Sequence, residues 1–344
     1  LHARIAGAGT RAELLAILEP RRIIVGTVAA FANNDKLLEI KKIQRLIVDE
    51  ASQILEPQLL GLLTRFEHFV LIGDHQQLPA VTAQAPEHTR VGDPDLQAIG
   101  LTDLRDSYFE RLYRLCVERG MYAHYGQLFR QGRMHAEIMD FPNRHFYGGR
   151  LQTLASEAEV SKHYQHLPLP VAPLFYPEKD SPGITLGRVA FLPVSETGAL
   201  PNQKTALAEA RLAAQLLRYF QEQYAAQGKT WGPETSLGII SPWRAQIAQI
   251  RQAIAEAGLD PDALAIDTVE RYQGGAREVI LISCCVHSAG QLERLVSLSA
   301  EGVDRKLNVA LTRAREQLIV LGNPEALGHD ARYRAFMEAY GMQI

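Results

Sequence analysis

The chain is short of cysteine, carries no excess of positive charge and contains no long apolar run. Its three cysteines, Cys116, Cys284 and Cys285, are too few and too scattered for a disulfide frame or a zinc site. The adjacent pair lies in the apolar run 279–286 and reads as two small buried hydrophobes on a strand. No stretch approaches the ~20 apolar residues that span a bilayer. The opening Leu-His-Ala-Arg-Ile-Ala-Gly has no signal-peptide apolar region. These absences favour a cytoplasmic place and no membrane partner. A net charge of −3 excludes a coat of positive charge. It leaves nucleic-acid binding open, because a groove needs only local cations and backbone donors. Internal repeats and low-complexity tracts are also absent.

What is present suits an ordinary globular protein, with 47% hydrophobic and 22% charged residues. At 344 residues the chain exceeds a typical single domain, so two domains are expected. Short apolar runs alternate with helical patterns, the mark of a parallel α/β sheet. The expected strands are 23–27, 46–48, 69–73, 189–193, 237–241, 279–283 and 318–322. Ala206, Ala210, Ala213, Leu217, Phe220 and Tyr224 recur at helical spacing. Ile247, Ile250 and Ile254 mark a second helix, closed by Gly258. Residues 82–102 and the Pro-rich 167–187 read as loops. A division into 1–122 and 123–344 follows, each part with its own strands and helices.

Two stretches carry chemistry. Leu46-Ile47-Val48-Asp49-Glu50-Ala51-Ser52-Gln53 is an apolar strand ending in Asp-Glu, as P-loop nucleoside triphosphatases use to hold Mg²⁺ and align the attacking water. Leu71-Ile72-Gly73-Asp74-His75-Gln76-Gln77-Leu78-Pro79 ends a second strand in Gly-Asp and places Gln77 where a γ-phosphate sensor sits. Asp-Glu alone is weak, because buried strands often end in acids at a solvated edge. The pair at this spacing points to nucleoside-triphosphate hydrolysis.

Three more segments complete a set: Gln131-Gly132-Arg133-Met134-His135, Val269-Glu270-Arg271-Tyr272-Gln273-Gly274, and Leu307-Asn308-Val309-Ala310-Leu311-Thr312-Arg313-Ala314-Arg315. In order and spacing the whole set resembles the superfamily 1 helicases, in the branch of the nonsense-mediated-decay RNA helicase and the replication nuclease-helicases. The resemblance runs from about Ile23 to Pro324. It implies two RecA-like lobes with parallel sheets, ATP and Mg²⁺ as cofactors, and single-stranded DNA or RNA as partner, with movement 5′ to 3′. It implies that Asp49 holds Mg²⁺ through water, that Glu50 takes a proton from the attacking water, and that Gln77 reports the γ-phosphate. Arg133 and Arg313 take the places of two arginine fingers, each worth ~10³–10⁵ in rate. Gln131 and Gly274 fall at nucleotide-binding positions. Thr27, Pro242 (with Trp243 beside it) and Thr268 fall where the family meets the nucleic-acid strand; hydroxyls and strand-end amides suit phosphate contact without base readout. Met134, Ile138 and Phe141 read as the buried face of a helix, and His75 and His135 as hydrogen-bonded structural residues.

The sequence departs from the family in three places. No Gly-x-x-x-x-Gly-Lys-Thr/Ser precedes Asp49; Gly7-Ala8-Gly9-Thr10 lacks the lysine. Gly228-Lys229-Thr230 is a decoy, since Gln223 stands where a glycine is required and a helix precedes it. The expectation is a first lobe truncated at its N-terminal side, a partner in the missing N-terminal part of the same protein, and no appreciable ATPase from this chain alone. Gly132 replaces an aromatic able to stack on adenine, and Ala276 replaces a ribose-contacting Glu, a role for which Glu278 is the nearest substitute. The competing reading is a hydrolysis-silent nucleic-acid-binding or scaffold module. Retention of Asp49, Glu50, Gln77, Arg133 and Arg313 argues against it.

Overall fold

Strands and helices alternate along the chain, and their contacts divide it into two units, Leu1–Gly126 and Gln127–Ile344. The computed structural model describes residues 9–33, 35–154, 173–174, 184–185, 187–196, 198–299 and 301–341. The boundary expected at 122–123 falls inside the short 3₁₀ turn Tyr122–His124.

In the first unit β1 (Arg45–Val48) pairs in parallel with β2 (His68–Leu71), with Ile47 opposite Val70 and Val48 opposite Leu71. A parallel pair needs a crossover, and the helix Glu56–Leu63 supplies it. That helix lays Leu59 and Leu63 against Val48 and Ala51, with Leu46, Leu71, Tyr108 and Phe109 closing the same core. On the opposite face of the pair, Ile47, Val70 and Ile72 are exposed, whereas parallel strands are ordinarily covered on both faces.

Two expectations are corrected here. Residues 23–27 form no strand: Ile23 and Val25 are 82% and 91% exposed and find no partner strand among the described residues. Thr27, though extended in its own backbone, ends no strand; it caps the helix Val28–Ala32, its hydroxyl accepting from the Ala30 amide at 3.1 Å. The expected loop 82–102 contains the helix Pro94–Ala98, because Asp93 caps it through the Asp95 and Leu96 amides.

The second unit opens with the small parallel pair β3 (Arg130–Gln131) and β4 (Gln152–Thr153). The Pro-rich 167–187 lies largely outside the described residues, save the antiparallel pair β5 (Pro173–Leu174) and β6 (Ile184–Thr185). Then follow β7 (Val189–Pro193), β8 (Leu237–Ile240), β9 (Ala265–Asp267), β10 (Arg277–Ser283) and β11 (Ala314–Gly322), which form one parallel sheet in the order β7-β11-β10-β8-β9. Central strands buried on both faces read as unbroken apolar runs, which is why Val279–Ser283 is buried throughout. Val279 and Leu281 face a core with Leu237, Ile239, Ile319 and Leu321. The helices Leu207–Ala226 and Arg244–Glu256 cover that face through Ala210, Ala213, Leu217, Phe220, Tyr224, Ile250 and Ile254. Gly258, at φ +74°, follows the second of these helices in the left-handed conformation that favours glycine. The helix Ala136–Phe146 buries Ile138 and Phe141, and Met134 just before it, as the spacing implies. Among the described residues no helix is long and apolar enough to cross a membrane.

Candidate functional site

The tip of β1 is tied to the tip of β2 by backbone and side chain together. Ile72 donates to the Val48 carbonyl and Ala51 donates to the Ile72 carbonyl, both at 2.8 Å. Between them the chain turns at Glu50, which is held in the left-handed region at φ 52°, ψ 36°. A non-glycine residue there stores about 1–3 kcal/mol of strain, a cost met where the surroundings over-determine the turn. The Asp49 carboxylate accepts from the Glu50 amide at 3.0 Å, and Gln53 Nε2 donates to Glu50 at 2.6 Å. Both acids are exposed.

The link continues to the second motif. Asp74 donates its amide to Ser52 Oγ at 3.3 Å, and its carboxylate accepts from the Gln76 amide at 3.0 Å and Gln77 Nε2 at 2.8 Å. Asp49, Glu50 and Gln77 therefore belong to one connected cluster, with Ser52 as the joint. Gly73 permits the close approach: a Cβ there would lie 2.9 Å from the Ser52 amide nitrogen. Gly73→Ala is expected to destabilise this unit by about 1–3 kcal/mol, since the obstruction is backbone. Faster amide exchange at Ala51 and Ile72 would report it, and unchanged exchange would refute it.

In the second unit Gln131 closes the turn that carries Arg133. Its side-chain oxygen accepts from the Arg133 and Met134 amides at 2.9 and 2.8 Å, and its nitrogen donates to the Met134 carbonyl at 2.9 Å. Arg133 Nη1 donates to the Thr312 carbonyl at 3.3 Å. Arg313 is only 1% exposed; Nε donates to the Val309 carbonyl and Nη2 to Thr312 Oγ1, each at 3.1 Å. The two arginines thus converge on Thr312 at the end of the helix Arg305–Leu311. Gly274 has φ +83°, which its turn requires of a glycine. Glu278 is already engaged by the Tyr224 hydroxyl at 2.6 Å on β10, so the idea that it replaces the acid missing at Ala276 is not supported by its position.

The strand-contact candidates separate. Thr27 lies in the first unit, where its hydroxyl oxygen accepts from the Ala30 amide. Pro242 follows β8 and Thr268 follows β9, at the carboxyl ends of neighbouring parallel strands. Pro242 and Trp243 wall a cavity of about 240 Å³ that also receives Lys204, Arg294, Lys306 and Glu270. Burial pushes the Glu270 carboxyl up, but bonds from its own backbone, Thr268 and Lys306 outweigh that and hold it below the usual range. Those three cations come from separate segments, so no local pattern in the sequence announces them.

An oxygen-ligated ion such as Mg²⁺ is typically held by one or two carboxylates plus substrate phosphates, and the exposed oxygens of Asp49 fit that use. No cluster of three or more His, Cys, Asp or Glu side chains able to hold a metal occurs among the described residues. No glycine-lysine cradle for the phosphates occurs in the sequence.

A parallel α/β sheet protein with an acidic strand tip joined to a Gly-Asp-x-Gln-Gln strand tip is the class that fold and site define. A family model described as an AAA domain matches residues 104–325, and a second of the same description matches residues 7–85. The chain belongs to this AAA-domain family, in the superfamily 1 helicase branch of Upf1 and DNA2. It is 32% identical over 299 residues to the DNA replication ATP-dependent helicase/nuclease DNA2 of Xenopus laevis, covering 84% of this chain and 26% of that protein. It is 30% identical over 290 residues to the DNA polymerase alpha-associated DNA helicase A of Saccharomyces cerevisiae, covering 82% and 38%. With the ATP-dependent helicase upf1 of Schizosaccharomyces pombe it shares 28% over 315 residues, covering 88% and 29%. The chain thus spans between 26% and 38% of the length of these relatives.

Proposed function

We propose that this chain is the motor part of an ATP-dependent nucleic-acid helicase that moves 5′ to 3′ on single-stranded DNA or RNA. The observation that carries the reading is the link from Asp49–Glu50, along the backbone to Ser52 and from there by hydrogen bonds through Asp74 to Gln77. It joins the residues that would meet metal and water to the residue that would sense the terminal phosphate. Bound Mg-ATP would supply the phosphoanhydride to be cleaved and neutralise charge on its oxygens. Asp49 would hold the ion through water, and Glu50, turned by its left-handed backbone, would take the proton of the attacking water. Arg133 would offset charge on the transferring phosphoryl group. Arg313 could join it only by exchanging its bonds to Val309 and Thr312. Glu50 belongs to the first unit and both arginines to the second. The enclosure of Arg313 is the observation that favours the hydrolysis-silent alternative.

Two measurements on the purified chain test the proposal. Its affinity for a fluorescent single strand is expected to fall with salt, by about 0.7 in logarithmic slope per phosphate contacted; a salt-independent affinity would overturn the nucleic-acid reading. Strand-stimulated phosphate release is expected to stay at background, because no residue present supplies the phosphate-cradling lysine. Turnover at ordinary helicase rates would refute that assignment.

A further inference from the structure

We propose that the first unit binds double-stranded nucleic acid by its phosphodiester backbone, on a cationic surface at the amino ends of β1 and β2, opposite the acidic tip. The proposal takes its class of partner from the nucleic-acid reading above, but it concerns a separate surface and a different form of that partner. Three segments build the surface. Lys41 and Lys42 lead into β1, which Arg45 opens, and Arg65 leads into β2, whose first residue His68 lies opposite Arg45. The third segment, with Arg21 and Arg22, follows the helix Arg11–Leu18. Lys41 brings it alongside: its ammonium donates to the Leu18 and Glu19 carbonyls at 2.8 and 2.9 Å and to the Arg21 carbonyl at 2.5 Å.

The charge there is concentrated and accessible. Neither 20–25 nor 40–45 contains an acid, although the whole chain has a net charge of −3. Arg21, Arg22, Lys42, Arg45 and Arg65 are exposed. Arg21, Arg22 and Arg45 make no side-chain hydrogen bond or ion pair among the described residues. Lys42 is paired with Glu67 at 2.8 Å, but both side chains are exposed, and a pair of that kind holds so weakly that a phosphate can exchange for it. β1 is four residues long, so about 13 Å separates the surface from Asp49 and Glu50. That exceeds the Debye length of about 10 Å at ordinary salt, and repulsion from the acidic tip is screened.

The chemistry selects the form of the partner. Guanidinium groups suit phosphate, which they meet with two parallel hydrogen bonds. Surfaces that hold single strands add aromatic faces on which the bases stack. Residues 18–22, 41–45 and 65–68 expose no Phe, Tyr or Trp; Phe66 is half-buried. Cations without a base platform fit a duplex, whose bases are already stacked on one another and whose backbones present a charge every ~1.7 Å. Contacts of this kind carry no sequence information, so no sequence preference follows.

The test uses the whole chain with blunt fluorescent DNA and RNA duplexes, an oligothymidylate and polyglutamate. Duplex affinity is expected to fall with salt by about 0.9 in logarithmic slope per phosphate contacted. Arg21→Ala, Arg22→Ala and Arg45→Ala should each lower that slope by about 0.9, which at ~0.1 M salt is a loss of about five- to tenfold in affinity. Arg45→Lys keeps the charge and should keep the slope, a rescue that a merely structural role does not give. Oligothymidylate affinity should be the same in all four variants, and the oligomer should not displace the duplex. A slope unchanged in the three alanine variants overturns the proposal, as does loss of oligothymidylate binding in step with duplex binding. Polyglutamate that displaces the duplex at equal charge also overturns it, and reassigns the surface to an acidic polypeptide. A chain that binds oligothymidylate but neither duplex overturns this surface alone; a chain that binds none of them overturns the nucleic-acid reading as well.

Discussion

Arg111→Met is expected to destabilise the first unit by about 3–5 kcal/mol, the cost of leaving one member of a buried ion pair without its partner. Arg111 and Glu56 have side chains only 8% and 7% exposed. Their contact is two-pronged: Nε donates to Glu56 Oε2 at 2.7 Å while Nη2 reaches Oε1. The remaining donor, Nη1, goes to the Ile99 carbonyl at 2.7 Å. One side chain on the helix Tyr108–Glu118 thereby pins the start of the helix Glu56–Leu63 and the end of the helix Pro94–Ala98. The helix Glu56–Leu63 in turn carries Leu59 and Leu63, which cover the inner face of β1 and β2. The acidic strand tip is thus steadied from below by a pair that touches no substrate. Hydrogen exchange across Tyr108–Glu118 and β1 measures the loss. Replacing both partners by apolar residues, Glu56→Leu with Arg111→Met, is expected to recover most of it, because no charge is then stranded. A single-variant cost below about 1 kcal/mol would mean that the pair is solvated in a way its burial denies.

How much could be read without coordinates depended on whether the decisive contact was local. The strands at 237–241, 279–283 and 318–322 were legible because central parallel strands must be apolar throughout, and those at 46–48, 69–73 and 189–193 because they too are short apolar runs, although the first two keep one exposed face. The helix Leu207–Ala226 was legible from its stripe, and Ala206, Ala210, Ala213, Leu217, Phe220 and Tyr224 are all buried. The failure at 23–27 has the opposite cause. An apolar run becomes a strand only when another strand accepts its hydrogen bonds, and Ile23 and Val25 have no such neighbour among the described residues. Thr27 carried its own signal as a helix cap, overridden by its β-branched side chain. In the candidate site the acids and glutamines were visible as motifs. Ser52 as the joint between them was not, since its partner Asp74 is distant in sequence. Enclosure of Arg313, and the meeting of Lys204, Arg294 and Lys306 around Trp243, likewise depend on chain segments brought together only by the sheet.

Glu209 shows the same principle and yields the second large effect. In sequence it is an acid in the first turn of a helix, where the dipole favours a solvated carboxylate. In the fold that turn lies against β10, and Glu209 is fully enclosed, accepting from Ser283 Oγ at 2.7 Å and from the Cys285 amide at 3.1 Å. Burial pushes its carboxyl up to about 8; the Ser283 and Cys285 bonds oppose the rise, and Glu196 adds to it. Unfolded, the same group titrates near 4.5. Between those values the folded protein keeps a proton that the unfolded chain releases, so stability is greatest at the acid side and is lost as pH rises toward 8. The slope is at most about 1.4 kcal/mol per pH unit. His145 works in the other direction: burial lowers it from 6.5, so its contribution changes only below that pH. The window from 6.5 to 8 therefore isolates the carboxyl. Urea melts followed by tryptophan emission report this unit alone, because Trp231 and Trp243 both belong to it. Wild-type stability is expected to decline across the window and Glu209→Gln, which mimics the protonated acid, to remain level. Parallel lines for the two proteins would mean that Glu209 is ionised when folded.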